Sequence, residues 1–160
     1  MHRRTWLAAA LPLAAAGCGF KLRGAAELQF DSIALTGFAP RSPLAQQLRR
    51  TLARSVTVLD GPDRAEVVLQ ATTDQRMRKA AAFTASGQVR EIQLRTIFAY
   101  RAHTPAGREL LAPARIEQYR DMTYVEAKTL GKEQEEEALF REMQDEIVQQ
   151  VLRRLSAIRL

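Results

Sequence analysis

The sequence holds one cysteine and two histidines in 160 residues. A lone cysteine cannot close an internal disulfide, and this count cannot build the Cys/His clusters that hold structural zinc. His2 stands at the very start of the chain. His103 lies in His103-Thr104-Pro105-Ala106-Gly107, which reads as a turn. No Gly-x-Ser-x-Gly elbow is present, and no glycine-rich phosphate loop. Glu135-Glu136-Glu137 is the one dense run of carboxylates, and its place at a predicted helix start gives it a role in complementing the helix dipole. These absences argue against an enzyme. No apolar run approaches the roughly 20 residues that a membrane-spanning helix needs. The chain has no internal repeats and no low-complexity tract.

The longest apolar run, Trp6 to Ala16, is about half that length and follows Arg3 and Arg4. Small residues Ala15, Ala16 and Gly17 lead into Cys18. A positive start, a short apolar stretch and a small-residue approach to cleavage describe a signal peptide. The stretch resembles a bacterial lipobox, with Ala15 where leucine is usual and Leu13 two residues earlier. On this reading residues 1–17 are a cleaved signal. Cys18 carries lipid at the new N-terminus, and 18–27 form a linker to the domain. An unmodified thiol exposed to an oxidising compartment would be a liability. One acyl chain binds a bilayer only reversibly, so the several chains of bacterial lipoproteins imply lasting attachment. In such proteins an aspartate after the cysteine commonly retains the protein in the inner membrane. Gly19 stands there instead, which favours the outer membrane with the body on the periplasmic side.

The chain's formal charge is +6, and loss of Arg3 and Arg4 leaves about +4 on about 140 residues. That length suits one domain with one core, expected over residues 28–160. A basic protein prefers anionic partners, and in the periplasm these are lipopolysaccharide and phospholipid headgroups rather than nucleic acid.

Leu28 to Gly37 reads as a first strand, with Ile33 and Leu35 on one face. Ser42-Pro43 supplies a hydroxyl N-cap and a proline at the first helical position. Leu44, Leu48 and Leu52 then make an apolar stripe, with Arg49, Arg50 and Arg54 off it, to an end near Ser55. From Ala65 the period is two: Val67, Leu69 and Ala71 on one face, Gln70, Thr72 and Asp74 on the other. This strand runs past Met77 to a turn at Ser86-Gly87. The next strand alternates most clearly, with Ile92, Leu94, Thr96, Phe98 and Tyr100 opposite Glu91, Gln93 and Arg95. A fourth, from Arg108 to Thr123, contains Pro113, which predicts an edge or a bulge. After Gly131 a last helix is predicted from Lys132 to about Leu155. Its stripe is Leu139, Phe140, Met143, Ile147, Val151 and Leu155, the face packed on the sheet. The expected fold is α+β: two helices on one face of a four-stranded, mostly antiparallel sheet, in the order β-α-β-β-β-α.

With these elements placed, the chain resembles the LptE family of lipopolysaccharide-assembly lipoproteins. Cys18-Gly19-Phe20-Lys21-Leu22-Arg23-Gly24 is similar to the family's CGFHLRG opening, with Lys21 where histidine is common. Ser86-Gly87-Gln88 precedes an alternating strand that ends in Phe98-Ala99-Tyr100. The third stretch comprises Leu130-Gly131-Lys132-Glu133, Glu135-Glu136, Met143 and Gln150-Val151-Leu152-Arg153-Arg154-Leu155. The resemblance implies a plug and assembly partner of the LptD β-barrel that binds lipopolysaccharide, with no catalytic site and no cofactor. It also implies lipopolysaccharide contact by basic residues at the tip of the central hairpin and by the lysine of the loop before the last helix. Lys132 matches that lysine. The tip reads Thr84-Ala85-Ser86, without charge, which shifts the expected contact to Arg78, Lys79 or Arg90; Arg76 is a further basic candidate around the hairpin. Guanidinium and ammonium groups are the natural partners of clustered phosphates. Lys21 and Arg23 would lie near anionic headgroups or dock on the barrel. The competing reading is an accessory lipoprotein of another lipid-transport system, against which the Lys132-to-Leu155 pattern argues.

Overall fold

The computed structural model describes residues 27–124 and 129–160; Cys18 and its flanking segment lie outside the described residues. Seven elements follow one another: β1 (Ser32–Thr36), α1 (Pro43–Leu52), β2 (Thr57–Leu59), β3 (Val67–Phe83), β4 (Val89–His103), β5 (Glu109–Thr123) and α2 (Thr129–Leu155). The strands form one sheet in the order β2-β1-β3-β4-β5. Strand β1 runs parallel to both its neighbours, while β3, β4 and β5 form an antiparallel meander. The α+β class and the two helices on one face are as expected. The sheet has five strands rather than four, because β2 leaves no sequence signal. Three residues on an edge are too short to show a period.

Both helices begin or pack as their residues dictate. Ser42 caps α1, its Oγ accepting from Ala45 N at 3.0 Å, with Pro43 behind it. A cap of this kind contributes about 1 kcal/mol. Leu44, Leu48 and Leu52 are all buried. They meet Ile147, Val148, Val151 and Leu155 of α2 over Ile33, Val67, Leu69, Phe98 and Tyr100 of the sheet. A second, smaller cluster joins Phe140 and Met143 of α2 to Ile92, Leu94 and Met122. Between the two clusters lies a polar layer. Buried Gln144 donates to the Pro43 carbonyl at 3.2 Å and to Gln47 Oε1, while its own Oε1 accepts from Arg76 Nη2 at 2.5 Å. This layer ties β3, α1 and α2 together at one point.

Two irregularities bear on the expected strand pattern. Pro113 lies on edge strand β5, in the register shift between Tyr100↔Ala114 and Ala102↔Leu111, so both parts of its expectation hold. The second irregularity has no counterpart in the sequence pattern. Register shifts between Ala71 and Thr73, leaving Thr72 as an extra residue. Each bulge reverses the side on which the following residues fall. Asp74, Arg76 and Arg78 therefore lie opposite Phe98, Thr96 and Leu94, on the helix side that Val67, Leu69 and Ala71 occupy. Uninterrupted alternation puts Asp74 on the other face, and the bulge corrects that expectation. Gly37, at φ +74°, packs so close to the bulge that a Cβ there would collide with the Ala71 carbonyl oxygen.

Burial pushes the Tyr100 hydroxyl above its ordinary value of 10.0, and the nearby Arg154 charge pulls it partly back. The fold thus holds the neutral phenol. Stability from this group is full below pH 10.0 and declines as pH rises through the higher value of the folded state. Tyr100→Phe should flatten that alkaline decline. Thermal melts between about pH 8 and pH 12 read the effect, and identical alkaline slopes in both proteins would contradict it.

Candidate functional site

Arg76 and Arg78 project from the far half of β3 toward the N-terminal half of α2. Their two-residue spacing puts them on the same face of the strand. The helix begins at Thr129, so Gly131 is inside it and Lys132 belongs to its first turn, not to a preceding loop. The first turn carries no acidic residue. Glu135, Glu136 and Glu137 come a turn later, and they engage cations rather than serving only the helix dipole. Arg78 Nε lies 3.1 Å from Glu136 Oε2, Arg76 Nη1 lies 3.5 Å from Glu137, and Lys132 Nζ lies 2.7 Å from Glu135 Oε2.

Aromatic rings fix the two guanidinium groups from a second side. Arg76 stands over the Phe140 ring at 5.0 Å from its centroid, and Arg78 over the Tyr124 ring at 5.3 Å. Such contacts are worth about 0.5–1 kcal/mol at exposed sites and more when desolvated. Arg76 is further held by Gln144. Around these groups opens a cleft of about 370 Å³, lined by Arg76, Arg78, Tyr124, Lys132, Glu133, Glu136, Glu137 and Phe140. Three of the five basic residues singled out in the sequence therefore meet at one place.

The other two do not. Lys79 lies opposite Gln93, on the sheet face away from the helices, where Gln93 also bonds Asp121 at 3.0 Å. Arg90 is exposed near the hairpin tip, and its carbonyl accepts from Tyr124 N at 2.8 Å. Neither lines the cleft. Sequence reasoning does not find Tyr124, Phe140 or Gln144. Phe140 fits the apolar stripe too well to suggest a second role. Gln144 does leave a signal: a polar residue beside Met143, on the face that the stripe buries.

The arrangement offers cationic groups between aromatic plates, which suits the recognition of phosphates or other anions. His103 closes β4 away from this cleft, its Nδ1 2.7 Å from the Thr104 carbonyl oxygen. Among the described residues no group of His, Cys, Asp and Glu could hold a metal ion, and no helix is long and apolar enough to cross a membrane.

Comparison with known proteins accords with this layout. The LPS-assembly lipoprotein LptE of Yersinia enterocolitica is 29% identical over 150 residues, covering 91% of this chain and 72% of that protein. A solution structure of an uncharacterized lipoprotein B from Nitrosomonas europaea superposes with a TM-score of 0.73 at 31% identity, over 88% of this chain and 92% of that one. A crystal structure of a minor lipoprotein from Acinetobacter baumannii shares the fold at a TM-score of 0.64 and 23% identity, covering 81% and 93%. Residues 30–155, which include the whole sheet, both helices and the cleft, match the family described as LptE, lipopolysaccharide-assembly, and the chain belongs to that family.

Proposed function

We propose that this protein is an outer-membrane lipoprotein, anchored through Cys18, that plugs and supports assembly of an LptD-type β-barrel. On this reading it binds lipopolysaccharide while that glycolipid is delivered to the cell surface. Residues 1–17 would be removed as a signal peptide, and residues 18–27 would link the lipid to the domain at 28–160. The protein performs no catalysis and needs no cofactor. The observation that carries the binding half is the convergence of Arg76, Arg78 and Lys132 on one cleft, in a chain of the lipopolysaccharide-assembly family. Lys79 and Arg90, outside the cleft, are left with a weaker, general electrostatic part. A body with charged side chains on both its sheet and helix surfaces also suits a polar barrel lumen.

The test is capture of the tagged protein from outer membranes in mild detergent, followed by mass spectrometry. The expected result is a stoichiometric large β-barrel of the LptD type that stays bound in high salt. Capture of inner-membrane transporter subunits, or of no partner, would overturn the plug reading.

A further inference from the structure

The cleft that should attract anions is itself electrically balanced. Three cations line it, Arg76, Arg78 and Lys132, and so do three carboxylates, Glu133, Glu136 and Glu137. Each of the cations already has a carboxylate partner from α2: Glu137, Glu136 and Glu135 respectively. The basic excess of the whole chain is thus not expressed at the place where an anion would bind.

We propose that Glu136 and Glu137 act as internal stand-ins for the anionic groups of the ligand and set which anions the cleft admits. The inference rests on the cleft being the lipopolysaccharide site. The two carboxylates are adjacent on one helix, and the two guanidinium groups they engage are two residues apart on one strand. Binding is then an exchange, carboxylate for incoming anion. Each guanidinium group has a contact besides its carboxylate, Phe140 and Gln144 for Arg76 and the Tyr124 ring for Arg78. When the carboxylates turn out to solvent, the cationic pair stays aimed into the cleft. Glu137 is 57% exposed and free to do so, and Glu136 is the more enclosed at 23%.

The exchange has a consequence for specificity. A ligand bearing a single carboxylate gains nothing by replacing one already present. A phosphate brings more charge and three acceptor oxygens, and it makes stronger bonds to arginine. A ligand with two phosphates can displace both glutamates at once. Glu136 and Glu137 therefore reject simple monoanions and admit multiply phosphorylated ones.

The decisive variant is Glu136→Gln with Glu137→Gln, made in the full lipoprotein and titrated in detergent with lipopolysaccharide. Both are partly exposed positions, and amide replacement there leaves the fold intact, which a thermal melt confirms. Removing two negative charges beside the bound phosphates should tighten binding about five- to tenfold at low salt, with the gain shrinking as salt screens it. Glu142→Gln with Asp63→Asn, two exposed positions outside the cleft, removes the same two charges and should leave affinity nearly unchanged, and so controls for overall charge. Arg78→Gln and Lys132→Gln should weaken binding. If those two weaken it while the double glutamate variant binds no tighter than the parent, the stand-in role is wrong and the cleft remains the site. If Arg78→Gln and Lys132→Gln bind like the parent, the cleft is not the site and the inference falls with it.

Discussion

Gly37→Ala should lower the melting temperature by about 10 °C, far more than a surface methyl group would. Two costs combine. The residue has φ +74°, where an L side chain crowds its own backbone, at about 1–2 kcal/mol. The added Cβ would also press on the Ala71 carbonyl, which is backbone and cannot rotate aside. Overpacking of this kind costs about 1–3 kcal/mol. The total is a large share of the roughly 5–15 kcal/mol that holds a domain folded. Gly87 provides the internal comparison. It has φ +82° at the hairpin tip, and an added methyl group there would meet nothing within 4 Å, so Gly87→Ala incurs only the conformational cost. Melts of the two variants should differ by several degrees, and equal melts would show that the bulge yields. The position matters beyond stability. The bulge beside Gly37 turns Arg76 and Arg78 toward the helices, so a relaxed bulge would also misdirect two of the cleft's three cations.

How far the sequence discloses this arrangement depends on the range of each signal. Strong local periods are legible: the α1 leucines, the Ile92-to-Tyr100 alternation, the α2 stripe and the proline on edge strand β5. Each rests on residues whose neighbours lie within a turn or a strand. Three-residue β2 is not legible, because its pairing with β1 depends on a partner 25 residues earlier, Ser32 opposite Thr57. The bulge at Thr72 is not legible either. Nothing in Ala71-Thr72-Thr73 marks it, and it arises where β3 passes Gly37. A single uncounted residue there inverts the face of the residues that follow. That is why alternation separates Arg76 and Arg78 from Lys79 but assigns the faces the wrong way round, with Lys79 toward the helices and the arginines away from them. The partners of the cations are hidden for a similar reason. Glu136 and Glu137 have an adequate local explanation at a helix start, and only the packing of α2 on β3 shows that they face arginines 58 and 61 residues away, at Arg78 and Arg76.

Reversing two cleft charges, Arg78→Glu with Lys132→Glu, should reduce lipopolysaccharide affinity by about a hundredfold while leaving the protein folded. Hydrogen bonds to charged groups are worth about 1.5–3 kcal/mol each, and reversal adds repulsion to their loss. Arg78 is 49% exposed and Lys132 16%; each ion pair, with Glu136 and Glu135, contributes at most about 1 kcal/mol to folding, and reversal sets carboxylate against carboxylate at both, so the melting temperature should fall by only a few degrees. Arg76 should behave differently. Its guanidinium lies over Phe140 and bonds Gln144, and Gln144 in turn bonds the Pro43 carbonyl and Gln47 in the layer between the two apolar clusters. Arg76→Glu would place a carboxylate against the Gln144 amide oxygen and leave a buried acceptor unpaired, at about 1–3 kcal/mol. It should therefore lose both binding and stability, and its binding defect alone would not identify a ligand contact. Lys79→Glu with Arg90→Glu changes the net charge by the same amount as the first pair but touches neither the cleft nor the polar layer. Its loss should be a few-fold and should vanish in high salt, as expected of long-range attraction alone. The comparison of the two double variants, equal in charge and different in place, is what separates a built site from a merely basic protein. Equal losses from both would mean that lipopolysaccharide reads the field of the whole molecule and not the cleft between β3 and α2.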